Sequence, residues 1–152
     1  MPEQETVRRA REDAREGKSP STQAGEFVRE EIHHIREGKH GASSPQQAIA
    51  IGLSKARRAG VKLSAPKGSP ALRKKAAQDE RASEHRRRKP SPARSRATED
   101  ALKREPKNSA SRSALSRQAK RSAAQRGKSA RSQAAKKAAR TRSSHSSQKR
   151  AA

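Results

Sequence analysis

The chain of 152 residues has no cysteine, and Phe27 is its only aromatic residue. The absence of cysteine excludes disulfides, thiolate chemistry and cysteine-based zinc sites. A single aromatic ring disfavours sheet-type modules that read single-stranded nucleic acid by stacking bases. No stretch approaches the roughly 18 consecutive apolar residues that a membrane-spanning helix needs. The sequence therefore predicts a protein without a membrane span.

Large apolar side chains are also scarce. Met, Val, Ile, Leu and Phe together make up 14 of the 152 residues, and eleven of these lie at or before Leu63. Ordering a backbone residue costs about 1–2 kcal/mol, which so few apolar side chains cannot offset along the whole chain. We therefore predict a mostly disordered chain with an all-α N-terminal part, in which a short helical hairpin precedes a basic low-complexity tail with nascent helices.

The charge is strongly positive and unevenly distributed. The chain has 39 Lys and Arg against 15 Asp and Glu, a formal net charge of +24. Residues 1–60 carry 11 basic and 9 acidic side chains, whereas no acid follows Glu105 and 14 basic residues do. The C-terminal part is thus an uncompensated polycation, which is typical of proteins that bind phosphate.

Helix signals are clearest in the first 60 residues. One helix is predicted from Pro2 to about Glu16 and a second from Pro20 to about Glu37. A third begins after Ser44, a good N-cap, and ends at Gly60. The second and third helices form the hairpin. Its predicted core consists of Phe27, Val28, Ile32, Ile35, Ile49, Ile51 and Leu53.

Four segments follow from these signals. They are an N-terminal helix at 1–18, the hairpin at 19–63, a linker rich in proline and charge with short helices at 64–108, and a disordered tail rich in Ala, Ser, Arg and Lys at 109–152. Like charges oppose helix formation in the tail, so we expect it to gain helix when it binds a polyanion.

The cations are the candidate nucleic-acid contacts, because a polycation binds phosphates and releases their counterions without reading bases. The predicted backbone contacts are Lys55, Arg57, Arg58, Arg86, Arg87, Arg88, Lys89, Arg94, Arg112, Arg117, Lys120, Arg121, Arg126, Arg131, Lys136, Lys137, Arg140 and Arg142.

Histidines cluster at His33, His34 and His40, and Glu30 and Glu31 each precede a histidine by three residues on one helix. Metal ligation uses such spacing. No second helix matches it, so we interpret these side chains as a solvated surface and predict no metal site. Because no oriented nucleophile, base and acid occur together, we also predict no catalytic residue and no cofactor.

The block from Gln47 to Gly60, Gln-Ala-Ile-Ala-Ile-Gly-Leu-Ser-Lys-Ala-Arg-Arg-Ala-Gly, follows Gly38-Lys39-His40-Gly41. It resembles a bacterial family of small basic proteins whose domain has no known function and whose members are commonly labelled DNA-binding. The resemblance covers about residues 25–64 and extends to the tail in composition only. It implies a DNA-binding role, and the composition of the tail is similar to that of linker-histone tails.

These observations predict a histone-like, nucleoid-associated protein in the cytoplasm that binds double-stranded DNA through its phosphates and is not an enzyme. RNA or ribosome association is an open alternative. Another is an adaptor in which the apolar face of the hairpin docks a protein partner. Self-association through the hairpin is also open.

Overall fold

The computed structural model describes residues 2–84 and 91–150, and for 144–150 it describes the backbone alone. These residues form helices and contain no strand. The helices are α1 (Gln4–Arg15), α2 (Pro20–Arg36), α3 (Pro45–Arg58), α4 (Pro70–Glu84), α5 (Pro92–Arg104), a short 3₁₀ helix (Asn108–Ala110), α6 (Arg112–Gln125) and α7 (Gly127–Arg150). The prediction of a mostly disordered chain is therefore wrong. Within the described ranges, no helix is both long and apolar enough to cross a membrane.

The chain divides into two compact units, Met1–Ala114 and Leu115–Ala152. The first unit holds α1 to α5, the 3₁₀ helix and the start of α6. It contains both clusters of buried apolar side chains. The second unit holds the rest of α6 and α7, and no residue from 127 to 143 is buried.

Proline and glycine mark the helix boundaries. Each of α2 to α5 begins with a proline, whose fixed φ suits the first helical turn and whose missing N–H costs nothing there. Gly38 and Gly60 follow α2 and α3 with φ values of 80° and 95°, a region that favours glycine. Ser44 caps α3, as predicted, by accepting a hydrogen bond of 3.1 Å from the N–H of Gln47.

α2 and α3 form a helical hairpin in which small residues allow close contact. Ala48, Gly52 and Ala56 lie four residues apart on α3 and are buried. A Cβ on Gly52 would lie only 2.7 Å from the Cα of Val28 on α2. The two backbones can therefore approach this closely only because position 52 has no side chain.

The buried face of α2 differs from the predicted apolar stripe. Phe27, Glu31 and Ile35 lie four residues apart and are fully buried, whereas Val28 and Ile32 are only partly buried. The prediction considers apolar residues alone, and a charged residue occupies the middle of the real stripe. The predicted core residues of α3 are also only partly buried; they are Ile49, Ile51 and Leu53.

Two apolar clusters lie on either side of Glu31 along this face of α2. The first surrounds Phe27 and includes Ala10 of α1 and Val61. The second surrounds Ile35 and includes Ala110 of the 3₁₀ helix. Since α1 and the 3₁₀ helix cover the hairpin, its two largest buried apolar side chains have no exposed surface for a partner.

Residues 102–110 close the end of the hairpin near its loop. The N–H groups of Gly41 and Ala42 donate hydrogen bonds of 2.8 and 3.0 Å to carbonyl groups of this segment. The Nε of Arg36 donates a third, of 2.9 Å, to the carbonyl of Ala110. The end of the segment predicted as a linker thus fixes the loop between α2 and α3.

The later helices form for local reasons. Pro70 and Pro92 begin helices of 15 and 13 residues instead of keeping them short. α6 and α7 consist mainly of Ala, Arg, Lys, Gln and Ser, most of which favour helix, and only Gly127 interrupts them. Several of their cations lie three or four residues apart, such as Arg117 with Arg121 and Lys136 with Arg140, so the local helix preference must outweigh the repulsion between them.

Candidate nucleic-acid interface

α6 and α7 present cations that have no carboxylate nearby in the sequence. No acid follows Glu105, and most of the side chains described for these helices are exposed and none is buried. Nine of the eighteen predicted backbone contacts lie in this second unit, and each of these nine is exposed. They are Arg117, Lys120, Arg121, Arg126, Arg131, Lys136, Lys137, Arg140 and Arg142.

The other predicted contacts lie elsewhere. Arg112, at the start of α6, and Arg94, on α5, are exposed, and Arg57 is partly buried. The run Arg86, Arg87, Arg88 and Lys89 lies outside the described residues. Lys55 and Arg58 are engaged by carboxylates of the first unit.

Lys55 lies at the centre of the hairpin. Its Nζ is 2.6 Å from Oε2 of Glu31 and 3.2 Å from Oε1 of Glu30, and its side chain is only 20% exposed. Glu30 also accepts a hydrogen bond of 3.1 Å from the N–H of Glu3. Because this ammonium group balances buried carboxylates, we leave Lys55 out of the proposed phosphate contacts.

Arg58 belongs to a polar contact that holds α4 against α3. Asp79 of α4 is buried and accepts hydrogen bonds of 2.8 Å from Arg58, 2.9 Å from Lys75 and 2.7 Å from Ser54. Burial by itself would raise the pKa of Asp79, but the three hydrogen bonds outweigh it and lower the pKa below the ordinary value. The carboxylate is therefore a charged anchor for an otherwise largely exposed helix.

A groove lined by arginines lies between α1 and the end of α3. Arg8, Arg11, Arg15 and the acidic Glu12 line it from α1 and Arg58 from α3, around a cavity of about 740 Å³. Arg8 is paired with Glu5 at 2.8 Å, whereas Arg11 and Arg15 have no ion-pair partner among the described residues.

The groove is absent from the sequence predictions. Its signal is nevertheless present, because Arg8, Arg11 and Arg15 follow the i, i+3, i+7 spacing that places side chains on one helical face. A guanidinium fork matches the geometry of a phosphate, so the groove suits a phosphate group.

The histidines do not share one environment. His33 is exposed, in agreement with the surface interpretation, but the side chains of His34 and His40 are only 12% and 15% exposed. Nε2 of His34 lies 2.8 Å from Oε1 of Glu3, and this hydrogen bond lowers the pKa of Glu3. The surface interpretation does not hold for His34 and His40. Glu3, which precedes α1, covers His34, and the loop between α2 and α3 folds His40 inward.

Glu31, His34 and His40 form a group of side chains that could hold a metal ion. Their ligand atoms all lie within 4.8 Å of one another. The spacing of Glu31 and His34 is visible in the sequence, but only the folded loop places His40 beside them.

Comparison with known proteins identifies no relative. No protein-family model, no curated protein and no solved structure matches the chain. The resemblance of the block from Gln47 to Gly60 to a bacterial family stays a prediction.

Proposed function

We propose that this protein binds double-stranded DNA without sequence specificity, through its phosphates, in the manner of a histone-like protein. The observation that carries the proposal is the surface of α6 and α7, where exposed cations occur with no acidic residue after Glu105. Phosphate neutralisation with release of counterions supplies most of the free energy of such binding.

The burial of Phe27 supports a backbone mode of binding. Single-strand readers need exposed rings on which bases stack, and the only aromatic side chain of this chain is fully buried. Duplex phosphates can be contacted by Arg and Lys alone. The proposed contacts therefore position the protein on DNA and read no sequence.

The arginine groove supplies a second proposed phosphate contact, in the first unit. Arg11 and Arg15 have no carboxylate partner among the described residues, so a phosphate can bind them without displacing an internal ion pair. The adaptor alternative has no such support, since Phe27 and Ile35 are fully buried.

The test is a competition titration of the full chain against a labelled DNA duplex, with duplex RNA and heparin as competitors. We expect DNA to bind more tightly than heparin of equal charge. We also expect little change in helix content by circular dichroism, because α6 and α7 are already helical. Equal affinity for all three polyanions would contradict the proposal and show that the protein binds any polyanion. Tighter binding of RNA than of DNA would show that RNA is the preferred nucleic acid.

A further inference from the structure

The centre of the hairpin holds more buried negative charge than its cation balances. Glu30 and Glu31 are both buried, and Lys55 is the ammonium group that contacts them. With neutral histidines, one negative charge is left over. A buried charge without compensation is costly, so the site favours an additional cation.

Glu31 is the side chain that would bind this additional cation. It is fully buried, and among the described residues neither of its oxygens accepts a well-aligned hydrogen bond. The ammonium group of Lys55 lies 2.6 Å from Oε2, at angles that make an ion pair rather than a hydrogen bond. Oε1 faces His40 instead.

The hydrogen bond of His40 shows which of its ring nitrogens faces Oε1 of Glu31 with a lone pair. Nδ1 of His40 is 3.1 Å from the carbonyl oxygen of Gly41, which can only accept, so Nδ1 carries the hydrogen. In the neutral ring the lone pair is then on Nε2, 3.3 Å from Oε1 of Glu31. Two acceptors at this distance repel each other unless a proton or a metal ion lies between them.

That separation suits a metal ion. Two ligands of a tetrahedral zinc ion, each bound at about 2.0–2.1 Å, are about 3.3–3.4 Å apart. His34 contributes a ring nitrogen to the same group. Its Nε2–H donates to the carboxylate of Glu3 at 2.8 Å, an outer contact of the kind that orients metal-binding histidines.

We propose that Glu31, His34 and His40 bind a divalent transition metal ion, with zinc as the expected ion. One carboxylate and two imidazoles suit zinc better than magnesium or calcium, which prefer oxygen ligands. Three protein ligands leave a fourth position for water. Lys55 can stay on the other oxygen of Glu31 when the metal ion binds.

The test is calorimetric titration of zinc into the full chain without nucleic acid. We expect one equivalent to bind, and we expect His34→Ala and His40→Ala each to weaken binding at least tenfold. His33→Ala is the matched control, since His33 lies beside His34 on the same helix but is 67% exposed and pairs with Glu37. That variant should bind zinc as the parent chain does.

Two further measurements guard against a variant that only fails to fold. His40→Gln keeps a polar side chain, and its circular dichroism should match that of the parent while its zinc affinity falls. Saturating zinc should also raise the melting temperature of the parent but not of His40→Gln. No zinc binding, or equal weakening by all three alanine substitutions, would overturn the proposal and leave an ion pair between protonated His40 and Glu31.

Discussion

The two units of this protein use similar side chains for different purposes. In the first unit, Lys55 and Arg58 are held by buried carboxylates, and every ion pair among the described residues lies between Glu3 and Lys103. In the second unit no acid is present, and the cations lie on exposed helices. Lys55 and Arg58 therefore hold the fold of the first unit together, while the cations of the second unit are available to an external anion.

This difference shows that net charge alone does not decide whether a chain folds. The first unit folds around small apolar clusters and buried ion pairs, and α6 and α7 follow from local helix preference. Substitutions in each unit should therefore change different properties of the protein.

The largest expected effect is on the stability of the first unit. Lys55→Met leaves Glu30 and Glu31 buried without their ammonium partner, which should lower the free energy of unfolding by about 3–5 kcal/mol. Lys136→Met, on exposed α7, is the control and should change stability little. Urea unfolding followed by circular dichroism measures both, and equal effects would contradict the contrast.

The next effect is on DNA affinity. Replacing Arg131, Lys136, Lys137, Arg140 and Arg142 with glutamine keeps the helix preference but removes five cations. If all five contact phosphate, affinity should fall on the order of 10²- to 10³-fold at physiological salt, and the slope of log K against log salt should become shallower by about 4.5. Fluorescence anisotropy across a salt series measures both quantities.

A charge-conserving variant controls for this change. Replacing Arg131, Arg140 and Arg142 with lysine should leave the salt slope unchanged. If the glutamine variant keeps the parent slope, α7 does not contact DNA.

The close contact between α2 and α3 predicts opposite effects for one substitution at two sites. Gly52→Ala places a Cβ 2.7 Å from the Cα of Val28, and should destabilise by about 1–3 kcal/mol. Gly25→Ala, where nothing lies within 4 Å, should stabilise by up to about 1 kcal/mol through helix preference. Thermal unfolding separates the two, and a stabilising Gly52→Ala would show that the helices are not in contact there.

The arginine groove should contribute less to DNA binding than α7. Replacing Arg11 and Arg15 with glutamine removes two proposed phosphate contacts, so we expect affinity to fall roughly tenfold and the salt slope to change by about 1.8. Arg29→Gln removes an exposed arginine of α2 that pairs with Glu26, and is the control. Equal losses per charge in both variants would remove the groove from the interface.

The last effect, which is close in size to that of the groove, concerns the stability of α4. Asp79→Asn weakens the contacts with Arg58, Lys75 and Ser54 and should cost about 1–2 kcal/mol at neutral pH. The pKa of Asp79 is lowered in the folded chain, so its stabilisation is complete above the unfolded value near 3.8 and is lost as the pH falls through the folded value. The difference in stability between parent and variant should therefore disappear in acid, and a difference that persists there would contradict the anchor role.

Helix boundaries could be predicted best from the sequence. Pro20, Pro45 and Gly60 have conformational preferences that act within a few residues, and the structure follows them. The prediction is wrong for the tail, because a scarcity of apolar residues limits a core but does not prevent a helix with strong local preference from forming. Alanine-rich α7 is the example.

Buried charge could not be predicted in the same way. Our prediction places Glu31 on a solvated face because it is charged, although Phe27 and Ile35 lie four residues on either side of it. Glu31 can be buried between the two apolar clusters because Lys55 and His40 reach it from other parts of the chain. The arginine groove likewise depends on how the fold places α1 near the end of α3. Such contacts between residues far apart in the sequence depend on tertiary packing, which local helix signals do not predict.

The most direct test of the contrast between the units is lysine acetylation of the full chain, with and without duplex DNA, read residue by residue by mass spectrometry. We predict that Lys55 reacts slowly in both states, while Lys136 and Lys137 react quickly in the free chain and become protected by DNA. Fast acetylation of Lys55 in the free chain, or unchanged acetylation of Lys136 and Lys137 when DNA is bound, would contradict the contrast between the two units.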